Sequence, residues 1–143
     1  MELMRLCQMP PTVPRDATVM DAVTLLITHK VGALAIVRDD KVVGVFTERD
    51  LMTRVVGKGK DPHTTPIADV MTTPVRVVRA STPVASAASL MRTNHFRHLP
   101  VVDDDGRLVG MVALRYLLYD LLEELDHKVD DLQHYLMEDS RGG

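Results

Sequence analysis

The stretch Gly44-Val45-Phe46-Thr47-Glu48-Arg49-Asp50 reveals the organisation of this chain, because a second version of it occurs further along. That second version is Gly110-Met111-Val112-Ala113-Leu114-Arg115-Tyr116. Upstream, Val19–Leu26 aligns in the same way with Val84–Met91. The offset between the aligned stretches grows by one between these two pairs, and one extra residue in a hairpin turn accounts for the change. The chain is therefore predicted to be an internal duplication.

Each copy repeats the same hydrophobic patterns. Apolar residues spaced three and four apart predict amphipathic helices, and short apolar runs joined by acidic turns predict β-hairpins. The predicted elements, in chain order, are the helix Thr18–Lys30, the strands Ala33–Val37 and Val42–Phe46, a helix from Thr47 to about Val56 that Gly57 stops, a helical turn over Ile67–Met71, the strand Val75–Val78, the helix Pro83–Asn94, and the strands Leu99–Val102 and Leu108–Val112. We thus expect an α+β fold with the order β-α-β-β-α, twice.

This order and three motifs resemble the cystathionine-β-synthase (CBS) domain family, as a tandem pair. The motifs are Gly44–Asp50, Asp69-Val70-Met71-Thr72 and Leu99-Pro100-Val101-Val102-Asp103. The resemblance implies two small sheets packed about a pseudo-twofold axis, with two clefts that often take AMP, ADP, ATP, S-adenosylmethionine or related adenosine ligands. We expect a first repeat over residues 4–60, a second over 61–122, and a helical extension and tail over 123–143.

Thr47 and Asp50 are the main candidate site residues. A carboxylate can accept charge-assisted hydrogen bonds from two vicinal ribose hydroxyls, while Arg49 and the helix N-terminus can meet a phosphate. The resemblance implies that Thr47 and Asp50 hold a ribose. The same Thr-x-x-Asp spacing is also that of a helix capping box, and the two roles can coexist.

The second copy departs from this pattern, since Ala113 replaces the hydroxyl and Tyr116 replaces the carboxylate. The second copy therefore has neither the hydroxyl nor the carboxylate that would bind the ribose hydroxyls at these positions. We therefore expect one competent cleft and one degenerate cleft.

The resemblance places the base-binding wall of the competent cleft in the linker and first strand of the second copy, Asp69 to Val75, together with Phe96 and Arg97. The residues predicted for this wall, and for cations beside it, are Asp69, Thr73, Val75, Phe96, Arg97 and His98. Backbone groups can read an adenine edge, and Phe96 or Val75 can cover its face. Arg97 and His98 stand where family members often place phosphate-binding cations. The alternatives stay open: Arg97 can simply complement a helix dipole, and His98 can face either cleft.

The sequence gives little support for a metal site, a catalytic triad or a disulfide. His95 and His98 span a helix-to-strand transition without a third metal ligand nearby, and no nucleophilic triad is apparent. The single cysteine, Cys7, excludes an intramolecular disulfide and a cysteine-rich zinc site. We expect no catalytic residues and no metal. A small enzyme or metal-dependent sensor using His95, His98 and Asp50 remains a minor alternative.

The amino-acid composition limits the kinds of partner that the protein can bind. The 143 residues carry 17 basic and 20 acidic side chains, for a formal charge of −3, and only 3% are aromatic. Too few rings and cations are present for a nucleic-acid surface. No apolar run approaches the length of a membrane-spanning helix, and no secretory signal is visible. We expect no nucleic-acid partner, no membrane association and a cytoplasmic location.

The C-terminal segment differs from everything before it, because neither Gly nor Pro interrupts it between Ala113 and Gly142. Its leucine and valine residues follow at alternating steps of four and three, which is a heptad seam. These seam residues are Leu118, Leu122, Leu125, Val129, Leu132 and Leu136. We expect a helix that pairs with a second copy of the chain, in either orientation; the alternative is a helix that folds back over its own domain.

Together these features predict a stand-alone regulatory or sensor module, not an enzyme. It would need no cofactor, bind an adenosine nucleotide or S-adenosylmethionine as ligand, and form a homodimer that acts on an unidentified protein. The alternative is a ligand-free scaffold or oligomerisation module that acts through its C-terminal helix.

Overall fold

The computed structural model describes the backbone of residues 2–142 and the side chains of residues 3–137. The helices and strands are α1 (Glu2–Arg5), β1 (Cys7–Gln8), β2 (Thr12–Val13), α2 (Val19–His29), β3 (Ala33–Arg38), β4 (Lys41–Thr47), α3 (Glu48–Asp50), β5 (Val78–Arg79), α4 (Val84–Asn94), β6 (His98–Val102), β7 (Leu108–Ala113) and α5 (Leu114–Gly142). The α+β fold and its internal repeat are confirmed.

Local sequence signals set the helix and hairpin boundaries. The Thr18 side chain caps α2 in a capping box with Asp21, and Lys30 ends the helix in the left-handed conformation at φ 55°. In the second copy, α4 follows Pro83 and ends at His95, which takes φ 58°. Lys30 and His95 occupy equivalent places in the alignment of the two copies, so both helices end at the same point of the repeat.

The two sheets exchange short segments between the copies. One sheet has the strand order β1-β7-β6-β5 and the other β2-β3-β4. Strand β1 comes from the N-terminus but pairs with β7, through Cys7 opposite Val112. In the reciprocal contact, Thr72 of the linker between the copies pairs with Val45 of β4. Each sheet is thus completed by chain that precedes the other copy.

Each hydrophobic core also contains residues from the segment that precedes the other copy. Leu3 is 1% exposed and packs in the second core, with Leu99 and Leu117. Ile67, Val70 and Met71 lie in the first core, although they follow the loop between the two repeats, residues 57–62. A third cluster, of Ala33, Ala35, Val45 and Met111, joins the inner faces of the two sheets. Burial of these apolar surfaces against one another stabilises the pair as a unit.

The helix predicted from Thr47 to Val56 is wrong in detail. It is the single turn α3, followed by a π-helical turn over Leu51–Val55 and a 3₁₀ turn over Val56–Lys58. Gly57 does not stop it; Gly59 does, because the chain reverses there at φ 67°.

The strand predicted over Val75–Val78 is also wrong in its bounds, since the structure has only β5, Val78–Arg79. The reason is that Thr72 pairs with β4 of the first copy, and residues 73–77 are needed to travel from that sheet to the other. The hydrophobic pattern of the sequence does not indicate that residues 73–77 cross from one sheet to the other.

Helix α5 is the predicted C-terminal helix, and it does not fold back over its own domain. Leu117 is fully buried and Asp120 is 8% exposed, with its carboxylate 2.7 Å from the guanidinium of Arg5. From Leu121 to Met137 every side chain is exposed. The seam residues are 48–58% exposed. Only the first two turns of α5 therefore pack on the rest of the described chain.

Candidate functional site

A cleft of about 390 Å³ lies between the two copies, with α3 and the following turn on one side and the α4–β6 junction on the other. Six of the nine predicted site residues line it: Thr47, Arg49, Asp50, Phe96, Arg97 and His98. An acidic helix start from the first copy and a basic strand start from the second are brought together here only by the packing of one copy on the other.

Asp50 is the central polar group of this cleft, and it is only 5% exposed. Its Oδ2 accepts hydrogen bonds from the backbone N–H and the hydroxyl of Thr47, at 3.0 and 3.2 Å. In return the Asp50 N–H donates to Thr47 Oγ1 at 3.2 Å. The capping box is therefore formed, and Asp50 lines the cleft at the same time.

Two further residues contact the Asp50 carboxylate. Thr72 Oγ1 donates to Oδ1 at 3.0 Å, and the Arg54 Nε lies 3.5 Å from the same oxygen. Arg54 also donates to the carbonyl of Met71 at 2.9 Å, which fixes the guanidinium beside the linker. A ligand diol could replace the Thr72 hydroxyl at this carboxylate without leaving it unpaired, since Arg54 remains.

Sequence reasoning missed Thr72 and Arg54 as individual site residues. Arg54 carries a usable signal, because it is four residues after Asp50 and such pairs meet on one helix face. Thr72 lies in the quoted linker motif, but its contact with Asp50 depends on the pairing of Thr72 with Val45.

The other predicted wall residues lie outside the lining of this cleft. Asp69 is exposed at the end of the 3₁₀ turn Ile67–Asp69, and the Thr73 hydroxyl donates to the carbonyl of Val43 at 3.2 Å. Val75 packs beside the cluster between the two sheets. Within the predicted wall segment Asp69 to Val75, Thr72 is the residue that lines the cleft, because the linker enters the first sheet there.

His98 lies where the two copies meet and is partly buried. Burial lowers the pKa of His98 from its ordinary value of 6.5; the Glu48 carboxylate opposes this, and the Arg115 and Arg97 guanidinium groups add to it. His98 is consequently neutral at pH 7. It lines the 390 Å³ cleft and also two neighbouring cavities, so it faces both copies' clefts.

The corresponding site of the second copy is much smaller. A cavity of about 50 Å³ lies beside Ala113 and Tyr116. Tyr116 is the counterpart of Asp50 in the alignment of the two copies, and the Arg115 guanidinium lies 5.0 Å from the centre of its ring. The two clefts are thus unequal in volume as well as in side chains.

Two other kinds of site are absent from the described part of the chain. Among the side chains that the structure describes, no three His, Cys, Asp or Glu residues converge in a way that could hold a metal ion. No helix within the described residues has the length and apolar character needed to cross a membrane.

Comparison with known proteins agrees with the fold. A family model described as "CBS domain" matches residues 3–57 and 67–123. An uncharacterised protein of Methanopyrus kandleri is 40% identical over 91 residues, which are 63% of this chain and 46% of that protein. The chain therefore spans about half the length of this relative.

Two solved structures are similar over most of the chain. A CBS-domain protein from Burkholderia ambifaria superposes with a TM-score of 0.75 at 30% identity, covering 81% of this chain and 84% of that one. The structure of CBSX2 in complex with AMP superposes with a TM-score of 0.67 at 32% identity, covering 80% of this chain and 88% of that one.

Proposed function

This chain belongs to the CBS-domain family, as a tandem pair, and from that premise we propose that it is a regulatory module that binds an adenosine-containing ligand in the Thr47–Asp50 cleft. The observation that carries the proposal is the Asp50 carboxylate, which is 5% exposed yet lines a cleft shared by both copies. The AMP complex of CBSX2, at 32% identity, supports an adenosine ligand.

The proposed contacts follow from the groups in the cleft. The Asp50 carboxylate accepts hydrogen bonds from the ribose hydroxyls, Arg49 and Arg97 attract the phosphate, and Phe96 covers the base. Because Asp50 comes from the first copy and Phe96 from the second, a ligand that bridges them favours one relative arrangement of the copies. Regulation is then a population shift between arrangements, passed to a partner protein.

A thermal-shift titration of the full chain with AMP, ADP, ATP and S-adenosylmethionine tests this proposal. A ligand at about 100 times its Kd adds about 2.7 kcal/mol, which corresponds to a rise of about 5–10 °C in melting temperature. Asp50→Ala should abolish the rise.

The chain provides a matched control in its other capping box. Asp21 caps α2 with Thr18 in the same geometry as Asp50 and Thr47, but it is exposed and lies outside the cleft. Asp21→Ala should lower the melting temperature of the free protein while keeping the ligand-induced rise. No rise with any of the four ligands at millimolar concentration, or a rise that survives Asp50→Ala, rejects the proposal.

A scaffold or oligomerisation module is the second candidate function. The observation that favours it is the exposed seam of α5, from Leu118 to Leu136, which none of the described residues covers. We propose that this seam pairs two copies of the chain as a homodimer. Dimerisation is compatible with ligand binding, and the two proposals are tested separately.

A further inference from the structure

A larger cavity adjoins the adenosine cleft and has a different chemical character. It measures about 670 Å³ and lies between α2, α3 and the start of α5. Its charged and titratable lining consists of Lys30, Glu48, Arg97, His98 and Arg115. The position of a Cβ on Gly32 would be 3.5 Å from both Glu48 Cδ and His98 Cε1, so these two side chains and Gly32 form the wall between the two cavities.

The charge of this lining favours an anion. Lys30, Arg97 and Arg115 are cations at neutral pH, against the single carboxylate of Glu48. Among the described side chains, none of these three cations has a carboxylate oxygen within 4.0 Å. Arg97 and Arg115 line this cavity together with His98, which places their positive charge beside the same wall.

The rest of the cavity lining is largely apolar. It includes Leu26 and Ile27 of α2 and Leu118 of α5. The three cations themselves are exposed, so an anion can reach them directly from solvent.

Arg115 contacts Tyr116, the residue that stands where the first copy has Asp50. In the alignment of the two copies, Arg115 corresponds to Arg49 and Tyr116 to Asp50. The Arg115 guanidinium lies 5.0 Å from the centre of the Tyr116 ring, and its Nη2 donates to the Tyr116 hydroxyl at 3.3 Å. At the aligned positions the second copy therefore has the same arginine, no carboxylate, and a ring that contacts the arginine.

We propose that the 670 Å³ cavity is a phosphate-binding site, in which Arg115, Lys30 and Arg97 bind a phosphate or pyrophosphate group without contacts to a ribose. This goes beyond the adenosine cleft, because neither Arg115 nor Lys30 lines that cleft. The phosphate belongs either to a free inorganic ion or to the phosphate tail of a nucleotide whose ribose is held at Asp50. Arg97 lines both cavities and connects the two possibilities.

Calorimetric titration of the full chain with pyrophosphate, in a buffer free of phosphate, tests the site. Saturable binding is expected, and Arg115→Gln should weaken it by about 10-fold or more, as loss of a charge-assisted contact does. Lys30→Asn provides a second variant, since Asn tolerates the left-handed conformation at this helix end and the fold is retained. It should weaken binding in the same direction.

Arg38→Gln is the matched control. Arg38 is exposed at the end of β3, lines none of the cavities described here, and carries the same charge as Arg115. Its removal should leave pyrophosphate affinity within about 2-fold, since a distant surface charge is screened by salt. Absence of saturable binding at millimolar pyrophosphate, or equal weakening by Arg38→Gln and Arg115→Gln, overturns the proposal.

A second arm identifies the source of the phosphate. Pyrophosphate binding that survives Asp50→Ala and does not compete with ATP supports a free inorganic ion. Competition between pyrophosphate and ATP, together with weaker ATP binding by Arg115→Gln, supports a nucleotide tail. If adenosine ligands fail to bind but pyrophosphate binds through Arg115, the adenosine proposal fails and the phosphate site stands.

Discussion

His98 shows how one residue connects the two copies. It stands at the start of β6, lines the cavities on both sides of the Gly32 wall, and has a pKa lowered mainly by burial. The sequence pointed to His98 as a cation beside a phosphate. The structure instead makes it a neutral imidazole at pH 7, because desolvation disfavours the charged form.

The lowered pKa of His98 predicts a pH dependence of stability. Below pH 6.5 the unfolded chain takes up a proton at His98 that the folded chain does not, so the free energy of unfolding falls as the pH is lowered through this range. Well above pH 6.5 the imidazole is neutral in both states, so the residue contributes no slope there. One proton limits the effect to about 1.4 kcal/mol per pH unit.

Urea unfolding at about pH 5 and about pH 7.5, on either side of the ordinary histidine pKa, measures this dependence. His98→Gln should be less sensitive to pH than the parent protein, whereas His63→Gln, at an exposed position between the 3₁₀ turns Val56–Lys58 and Ile67–Asp69, should keep the parent's sensitivity. Identical pH profiles for the parent and His98→Gln would contradict the assignment.

At the residue scale the sequence also identified the capping box and six of the fourteen residues that line the cleft. Thr47 and Asp50 were recognisable because their interaction is local, three residues apart. Thr72 was not, because its hydroxyl reaches Asp50 across 22 residues of chain. Contacts of that kind depend on where the linker enters the sheet.

At the scale of elements, hairpins and long helices were predictable and short strands were not. The turn at Asp39 and Asp40 is local, with both residues at positive φ, and it closes β3 on β4 without help from elsewhere. Strand β1 has only two residues, and it forms because β7 offers a free edge. Its pattern alone contains no strand signal.

The pairing of β1 with β7 depends on Gly110. A Cβ at this position would lie 2.9 Å from the Cβ of Cys7, an atom fixed to the backbone of β1. Gly110→Ala should therefore displace β1 and lower the free energy of unfolding by about 1–3 kcal/mol, as urea unfolding would measure. Gly32→Ala is the matched control, because a Cβ there meets nothing closer than 3.5 Å.

The thiol of Cys7 reports the displacement of β1 directly. Burial raises the pKa of the Cys7 thiol to about 11, and its Sγ donates to the carbonyl of Leu3 at 3.1 Å. Release of β1 should increase the thiolate fraction at mildly alkaline pH by up to about 100-fold and speed its labelling by a disulfide reagent. Unchanged labelling in Gly110→Ala would show that β1 tolerates the added methyl group.

At the scale of the whole molecule, α5 has an apolar seam with no partner among the described residues. Its six seam residues are 48–58% exposed, while acidic residues cover much of the remaining surface. Full burial of a leucine side chain contributes about 1.5–3 kcal/mol, so pairing of two seams can offset the cost of association.

The homodimer proposed through α5 makes a clear prediction about mass in solution. Light scattering on the 143-residue chain should give twice the mass of a single chain. Truncation after Leu122, or the pair Leu125→Glu and Leu132→Glu, should give the monomer because each removes apolar area from the seam.

His127→Glu with His134→Glu is the control for added charge. These two residues lie on the outer face of the same helix turns, away from the seam, and the control should remain dimeric. A full chain that is monomeric at micromolar concentration, or a dimer that survives the seam substitutions, would contradict the prediction.

The sequence by itself determined that the chain is a duplication, that each copy contains an amphipathic helix and a hairpin, that only the first copy retains Thr and Asp at the helix start, and that the second copy continues into a heptad helix. These features arise from interactions between residues close in sequence or from comparison of one copy with the other. Only the tertiary structure decided which segments complete which sheet, that Thr72 and Arg54 join Asp50, and that Arg115, Lys30 and Arg97 line one cavity. The physical reason is that the two copies pack against each other and exchange β1 and the linker, which brings side chains distant in sequence into contact.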